Sequence, residues 1–318
     1  MSSPCTTGNA QACFAEASAI WTSNRREIAQ LLHANEVSEQ PPMALPSQKS
    51  LRQTLASGPW VTLPFTQCGG KLVSLSYLHI WKSGGHTVMA SLHNAFLNSS
   101  RSARAKFGAR ARETFLESTR RKEGQFYTSL SHGPIDNLRF TFFREPEERF
   151  VSGYTEMSFR THNRTQQGLS PEGRFPWKGL APIGTLAHAR DFVQAFVSAG
   201  PQVNDHVALQ AGALSHAQFD YIGNAAALAN DWKQAMRYLL KCNGADVPPL
   251  TQWPPGGHHS ENGSSDPLNT TAAMQTLLNE NPHVRKALRL ALASDYRAFE
   301  HLMARWGGAH GGSPELLA

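Results

Sequence analysis

One apolar run, Leu72 to Ile80, constrains the fold of this chain more than any other segment. It is rich in aliphatic and aromatic residues and is bounded by the pairs Gly69-Gly70 and Gly84-Gly85, as expected of a buried strand. From Thr87 to Leu97 the apolar period changes to 3.6, which predicts a helix whose buried face is formed by Val88, Leu92 and Phe96. A strand, a glycine turn and a helix in this order indicate the opening of a nucleotide-type α/β unit.

The remaining elements follow from apolar spacing and from the positions of proline, glycine and cap residues. Further strands are expected at residues 126–130 and 138–143. Helices are expected at residues 14–34, 101–123, Pro146–Phe159, 185–199, 205–215, 225–241 and 283–306. This order predicts three parts, which are an N-terminal helix with a proline-rich linker over residues 1–58, an α/β domain over residues 59–306 and a flexible tail over residues 307–318.

The composition excludes several classes of protein. A chain of 318 residues with 40% hydrophobic residues can build a core, which excludes a fibrous or fully disordered protein. The net charge of +6 is compatible with an anionic ligand but is low for a dedicated nucleic-acid-binding arm. No metal site is predicted, because the cysteines do not have zinc-ligand spacing. A bridge between Cys68 and Cys242 is neither predicted nor excluded.

No membrane segment is predicted, because no apolar stretch approaches the ~18 residues that a transmembrane helix needs. The N-terminus also lacks the basic and apolar regions of a signal peptide, so a cytoplasmic location is expected if the chain is complete as it stands. Glycosylation sequons point instead to a glycoprotein of the secretory route, and they lie at Asn98, Asn163, Asn262 and Asn269. The compartment stays open at this point.

The turn from Lys82 to Thr87 is the first of two segments that carry chemistry. Its two glycines allow a tight turn that points successive backbone N–H groups at one spot, and the helix N-terminus adds partial positive charge. Lys82 adds a full charge, and the hydroxyls of Ser83 and Thr87 can donate hydrogen bonds. These groups predict a site for a phosphate or sulfate. The alternative is an ordinary glycine turn with a solvated lysine.

This turn differs from a Walker A loop, in which the lysine follows the glycines. Here Lys82 precedes Gly84 and Gly85. An ordinary P-loop kinase or ATPase is therefore disfavoured.

The second segment runs from Arg144 to Tyr154, directly after the strand predicted at 138–143. Arg144 is expected at the carboxyl end of that strand, where open α/β sheets bind ligands, and Ser152 is expected on the following helix. A guanidinium and a hydroxyl can together bind a second phosphate. The alternative is that Arg144 and Arg149 pair with glutamates of the same segment at helix spacing, and for Arg149 we prefer it.

Together the two segments resemble those of the carbohydrate sulfotransferases that use 3′-phosphoadenosine-5′-phosphosulfate (PAPS). HIWKSGGHTV is similar to the family's 5′-phosphosulfate loop, H-x-P-K-T-G-G-T-S/T. FTFFREPEERFVSGY is similar to its 3′-phosphate segment, F-x-x-R-D/E-P-x-E-R-x-x-S-x-Y, which is the more specific match. FDYIGNAAALANDW and LALASDYRAFEHL resemble later segments of the family, so the resemblance covers roughly residues 70 to 303.

The resemblance implies an α/β protein with a P-loop-like sulfotransferase fold, in which helices flank a central, mostly parallel sheet. It implies a transferase that moves a sulfuryl group from PAPS to a hydroxyl of a carbohydrate and releases 3′-phosphoadenosine-5′-phosphate (PAP). Neither nucleic acid nor a membrane is an expected partner. Because many family members act in the Golgi lumen, the resemblance also implies a secretory location.

The resemblance further assigns roles to individual residues. Lys82 would neutralise charge on the departing 5′-phosphate and is the first catalytic candidate. Arg144 and Ser152 would bind the 3′-phosphate. The residues that would bind the 5′-phosphate are Lys82, Ser83, Gly84, Gly85, His86, Thr87 and Val88.

Four departures from the family pattern stand out. Trp81 replaces the usual proline, and His86 replaces the usual Thr or Ser, although a histidine N–H can still donate to phosphate. Asn224 and the two alanines after it replace a Lys-Phe-Glu triplet, which leaves contacts from that region in doubt. The membrane anchor that is usual in the Golgi members is not seen in this sequence.

His132 is the second catalytic candidate, as the base that takes the proton of the acceptor hydroxyl. It resembles the family's histidine before the 3′-phosphate strand, and its ordinary pKa near 6.5 suits this chemistry. Residues 133–137 are too few for a parallel crossover, and a simple hairpin there would place His132 at the opposite end of the sheet from Arg144. The resemblance favours an irregular connection instead. His86 is the alternative base.

Two other functions compete with sulfuryl transfer. A non-catalytic nucleotide- or glycan-binding module with the same fold is compatible with the altered segment at 224–226 and with His86. RNA binding through the basic stretch at 101–123 is disfavoured, because no aromatic-rich RNA-binding motif accompanies the charge. That stretch has the pattern of a solvated helix face, and the alternative is a docking surface for an anionic acceptor.

If His132 is the base, His132→Ala abolishes transfer but leaves PAP binding nearly intact. Wild-type activity falls below about pH 6.5, because a protonated imidazole cannot accept the proton of the acceptor. Turnover measured against pH, together with calorimetric titration of PAP, checks both statements. Wild-type rates in the variant would move the role to His86 or to a carboxylate.

Overall fold

The apolar run at 72–80 forms the second strand of a four-stranded sheet in the computed structural model of the chain. The structure describes residues 10–32, 60–80, 82–98, 136–171, 175–199, 204, 206–214, 219–251 and 266–307. The strands are β1 (Trp60–Thr66), β2 (Leu72–Leu78), β3 (Asp136–Phe143) and β4 (Tyr221–Asn224). The helices are α1 (Ala10–Leu32), α2 (Gly85–Asn98), α3 (Pro146–Gln166), α4 (Leu186–Ala199), α5 (Gln210–Leu214), α6 (Leu228–Leu240), α7 (Thr270–Glu280), α8 (Pro282–Ala291) and α9 (Ala293–Gly307).

The sheet is mixed and has the order β1-β2-β3-β4. β2 pairs with β3, and β3 with β4, in parallel, whereas β1 runs antiparallel to β2. Only residues 67–71 join β1 to β2, and a parallel pair would need a crossover of a dozen residues or more. The chain is therefore an α/β protein whose partly parallel sheet is flanked by helices.

The antiparallel strand β1 is absent from the sequence-based expectation of a mostly parallel sheet. Pro64 lies within β1, and proline has no N–H to donate to a ladder. Such a residue is tolerated in an edge strand, which is the place of β1 in the sheet. Because of this proline, apolar pattern and β-propensity do not predict the strand.

The chain falls into two compact units. The sheet unit comprises Lys49–Phe143, Gln218–Gly257 and Trp306–Ala318, and it contains the sheet with α2 and α6. The helical unit comprises Met1–Gln48, Arg144–Ala217 and His258–Arg305, and it contains the other helices. The predicted domain limits at residues 58 and 306 stay predictions.

The core of the sheet unit is built from the sheet and the apolar faces of α2 and α6. Val88, Leu92 and Phe96 of α2 are buried, as the helical period predicts. Between the strands and α6 lie aromatic side chains in contact, namely Tyr77, Phe140, Phe142 and Trp232. Each large apolar side chain buried in this way contributes about 1.5–3 kcal/mol to folding.

Within the sheet unit, a disulfide joins Cys68 to Cys242. The turn after β1 reaches the end of α6 through two hydrogen bonds, from the Gln67 amide to the Leu239 carbonyl and from the Cys68 N–H to the Leu240 carbonyl. These bonds bring the two cysteines together although 174 residues separate them in the sequence. The structure thus answers a question that cysteine spacing leaves open.

The core of the helical unit is aromatic. Phe150 and Tyr154 of α3 pack edge to face against Phe192 of α4. Phe196 of α4 packs against Phe150 and against Trp21 of α1. α1 also packs along α8, where Lys286 pairs with Glu27. The N-terminal helix is therefore part of this core.

Most of the predicted helices are confirmed with small changes of bounds. The helices expected at 14–34, 185–199 and 225–241 correspond to α1, α4 and α6, and the helix from Pro146 continues to Gln166. The helix expected at 205–215 is wrong in length, since within the described residues 206–214 only Gln210–Leu214 is helical.

The single helix expected at 283–306 is also wrong. The structure has two helices, α8 and α9, with Leu292 between them. Ser294 and Asp295 follow the break, and residues of these types favour the start of a helix over its interior. The break lets each helix bury its own apolar face, with Leu288 in α8 and Leu302 in α9. The preceding helix α7 is absent from the sequence-based expectation.

Several predicted elements lie outside the described residues. They are the basic helix at 101–123, the strand at 126–130 and His132. Among the helices that the structure describes, none is both long and apolar enough to span a bilayer.

Candidate functional site

The glycine turn predicted to bind a phosphate connects β2 to α2 in the sheet unit. Two of its residues adopt the left-handed backbone region, Lys82 with φ of 68° and Gly84 with φ of 79°. The N–H of Ser83 donates to the Ile80 carbonyl at 3.2 Å, and the N–H of Val88 donates to the Gly84 carbonyl at 3.1 Å. The second bond begins the helix, so the N–H groups of the first turn have no helical acceptor. Such an N-terminus attracts anions.

Gly85 must be a glycine because a buried histidine lies against it. A Cβ on Gly85 would lie 1.9 Å from Nε2 of His79, which is closer than two non-bonded atoms can approach. Burial, together with positive charge on His86 and Lys82, lowers the pKa of His79 to about 3. His79 is therefore neutral at pH 7 and acts as a packing platform for the turn.

The side chains of the turn differ in access. Ser83 is fully buried, Lys82 and Thr87 are half-buried, and His86 is exposed. The hydroxyl of Ser83 is thus removed from solvent, and its N–H is already bonded to the Ile80 carbonyl. Lys82 and His86 are the cationic or potentially cationic groups with solvent access in this turn.

Arg144 and Ser152 line one pocket in the helical unit. The pocket has a volume of about 460 Å³ and lies between α3 and α7. Its lining residues are Arg144, Glu147, Glu148, Val151, Ser152, Thr155, Thr271, Gln275, Leu278 and Asn279. Arg144 follows the last residue of β3, and Ser152 lies on α3. The structure therefore brings together the two residues that the sequence analysis assigned to a second phosphate.

The pocket also contains two carboxylates. Arg144 Nε donates to Glu148 Oε2 at 3.4 Å, in an exposed pair at helix spacing. Glu147 accepts hydrogen bonds from Arg285 and Arg289 of α8. Burial opposes the ionisation of Glu147, but the two arginines outweigh it and hold its pKa below the ordinary value. Glu147 therefore lines the pocket with its negative charge balanced by these arginines.

Arg149 does not make the glutamate pairing that we preferred for it. It is buried, and its Nη1 donates to the Ala208 carbonyl at 2.6 Å. Its charge also acts on Asp295, whose pKa is raised by burial to about 6 and would be higher without Arg149. Arg149 is a structural residue of the helical unit.

The start of α3 is fixed by Glu145. Its carboxylate accepts the N–H of Glu148 at 2.6 Å and the hydroxyl of Tyr296 at 2.8 Å. Glu145 is thus the cap of α3 and its link to α9. The hydroxyl of Tyr296 therefore supports this cap.

The segment that departs from the family triplet has a structural role. Asn224 Oδ1 accepts the N–H of Ala226, which caps the short 3₁₀ turn Ala225–Ala227. The N–H of Asn224 donates to Asp231 of α6. Leu228, at the start of α6, lies against Gly84 of the glycine turn, where an added Cβ would be 2.9 Å from Cδ2. This segment therefore supports the glycine turn by packing.

Sequence reasoning did not identify Gln210, Asp295 or the wall of α7 formed by Thr271, Gln275 and Asn279. The resemblance of LALASDYRAFEHL to a family segment was the available signal for Asp295.

Among the described residues, no cluster of three His, Cys, Asp or Glu side chains can hold a metal ion. Comparison of the chain with family models, curated proteins and solved structures found no match.

Gly85→Ala is expected to destabilise the fold by about 1–3 kcal/mol, because the new methyl group overlaps the His79 ring. The matched control is Gly69→Ala, where an added Cβ meets no atom within 4 Å. Urea unfolding gives both free energies. In the double variant with His79→Ala, the added cost of Gly85→Ala shrinks. An effect of Gly85→Ala no larger than that of Gly69→Ala would contradict the steric account.

Proposed function

We propose that the protein is a PAPS-dependent sulfotransferase that moves a sulfuryl group to a hydroxyl of a carbohydrate, with the P-loop-like fold of that family. The observation that carries the proposal is the shared pocket of Arg144 and Ser152, the two residues that the resemblance assigns to the 3′-phosphate. Its volume of about 460 Å³ lies in the range of small-molecule sites. The carbohydrate as acceptor rests on the resemblance alone.

The charges around the pocket favour an anion. Glu147 is matched by Arg285 and Arg289, and Glu148 is matched by Arg144, so these five side chains carry a net charge of +1. Arg144 and Glu148 are 34% and 58% exposed, and an exposed pair of this kind contributes about 0–1 kcal/mol. A phosphate can displace Glu148 from Arg144 at that small cost, because a doubly charged group is the stronger partner for a guanidinium.

The glycine turn supports the proposal for the other end of the nucleotide. Its tight backbone, the start of α2 and Lys82 form the kind of site that binds phosphate and sulfate. The close fit of buried Gly85 against His79 fixes the course of the turn's backbone at that residue. We assign the binding of the 5′-phosphosulfate group to residues 82–88.

The proposed chemistry needs charge stabilisation and one proton transfer. The acceptor oxygen forms a bond to sulfur while the bond from sulfur to the bridging phosphate oxygen breaks, and PAP leaves. Lys82 stabilises the negative charge that grows on that oxygen. His132 takes the proton of the acceptor hydroxyl.

The test of the 3′-phosphate assignment compares PAP with adenosine 5′-phosphosulfate, which has no 3′-phosphate. Arg144→Ala is expected to weaken PAP by about 1.5–3 kcal/mol, or roughly 10- to 150-fold, because a charge-assisted contact is lost. Binding of adenosine 5′-phosphosulfate hardly changes. Ser152→Ala shows the same selectivity at about 1 kcal/mol. Calorimetric titration of folded variants measures both nucleotides.

Arg164→Ala is the matched control, because Arg164 of α3 is partly exposed, as Arg144 is, but does not line the pocket. It removes the same charge from the helical unit and leaves the preference for PAP unchanged. Glu148→Gln keeps or strengthens PAP binding, because Arg144 no longer has a competing carboxylate. Equal losses for both nucleotides in Arg144→Ala would show that Arg144 is structural and would end the 3′-phosphate assignment.

A further inference from the structure

The side chain of Gln210 bonds to both polar main-chain groups of Arg144. Its side-chain Oε1 accepts the N–H of Arg144 at 3.0 Å, and its Nε2 donates to the Arg144 carbonyl at 2.8 Å. Arg144 lies between β3 and α3 and belongs to neither, so regular secondary structure does not hold it. The amide of Gln210 thus supplies partners for both polar main-chain groups of a residue that lies outside the regular elements.

Gln210 is itself fixed by a buried carboxylate. Asp295 accepts the backbone N–H of Gln210 at 3.0 Å and that of Ala211 at 2.8 Å. Gln210 is fully buried and Asp295 is 1% exposed, so neither can exchange these bonds for bonds to water. The buried Arg149 supplies the opposing charge. A connected network therefore runs from α9 through α5 to the main chain of Arg144.

The network acts on the main chain of Arg144. An arginine side chain has many rotamers, and the guanidinium in this structure belongs to a partly exposed ion pair with Glu148. The bonds from Gln210 fix the main chain, which sets the point from which the guanidinium reaches into the pocket. A shift of that point by about 1 Å is enough to weaken a positioned contact severely.

We propose that Gln210 is a positioning residue, which sets the place of Arg144 so that its guanidinium meets the 3′-phosphate of the nucleotide. This inference rests on the proposed function. It differs from a purely structural role in one respect. Loss of the Gln210 amide lowers the preference of the protein for PAP over adenosine 5′-phosphosulfate, and loss of stability alone does not.

The experiment measures the ratio of the two dissociation constants in Gln210→Met, which keeps the volume of the side chain and removes both hydrogen bonds. Gln67→Met is the matched control, because Gln67 is also a buried amide that donates to a main-chain carbonyl. We expect Gln210→Met to lower the preference for PAP about tenfold, the equivalent of one net hydrogen bond. Gln67→Met lowers the melting temperature and leaves the preference unchanged.

If Gln210→Met does not fold, Gln210→Asn is measured in its place, since it stays neutral and its amide is one methylene too short to keep both bonds to the Arg144 main chain. An unchanged preference in the Gln210 variant, beside a lost preference in Arg144→Ala, would overturn the positioning role and leave the proposed function standing. A wild-type protein that binds both nucleotides equally would overturn the proposed function, and the positioning role with it. A lowered preference in the Gln210 variant with an unchanged one in Gln67→Met supports the inference.

Discussion

The first turn of α3 depends on partners from the C-terminal helices, and the geometry of the pocket depends on that turn. Glu145 is bound by Tyr296, Glu147 by two arginines of α8, and Arg149 lies in the field of Asp295. Charged groups removed from water are costly unless each has a partner. Because these partners lie more than 130 residues away in sequence, the first turn of α3 is held in place only when the C-terminal helices are folded against it.

A second constraint, in the sheet unit, is steric. The glycine turn passes between His79 and Leu228 so closely that only residues without a Cβ fit at Gly84 and Gly85 without displacement. His79 stays neutral in this position, so it competes with neither Lys82 nor His86 for an anion. The departure at 224–226 leaves this support intact, because Leu228 and the Asn224 cap hold the start of α6.

The sequence predicts what depends on local pattern. The strand at 72–78, the helix after the glycine turn and the helix from Pro146 follow from period, glycine and proline, and each is present. The joint placement of Arg144 and Ser152 follows too, since a short stretch of chain connects them. Contacts between distant segments were not predictable, such as the bonds from Gln210 to Arg144 and Asp295, because no local pattern selects one buried amide as the partner of another segment. Contacts between distant segments also determine two features that the sequence did not predict. They are the antiparallel strand β1, which depends on pairing with β2, and the break at Leu292, which depends on packing.

The proposed sulfuryl transfer is measured by following radiolabelled sulfur from PAPS to a panel of neutral and acidic oligosaccharides. The proposed function predicts labelled product and equimolar PAP with at least one acceptor for the wild type. It predicts a turnover lower by about 10²-fold or more in Lys82→Ala, with a smaller change in PAP affinity, as expected when a preorganised positive charge is removed. Tight PAP binding by the wild type without transfer to any acceptor would contradict the claim and would favour a nucleotide-binding module without catalysis.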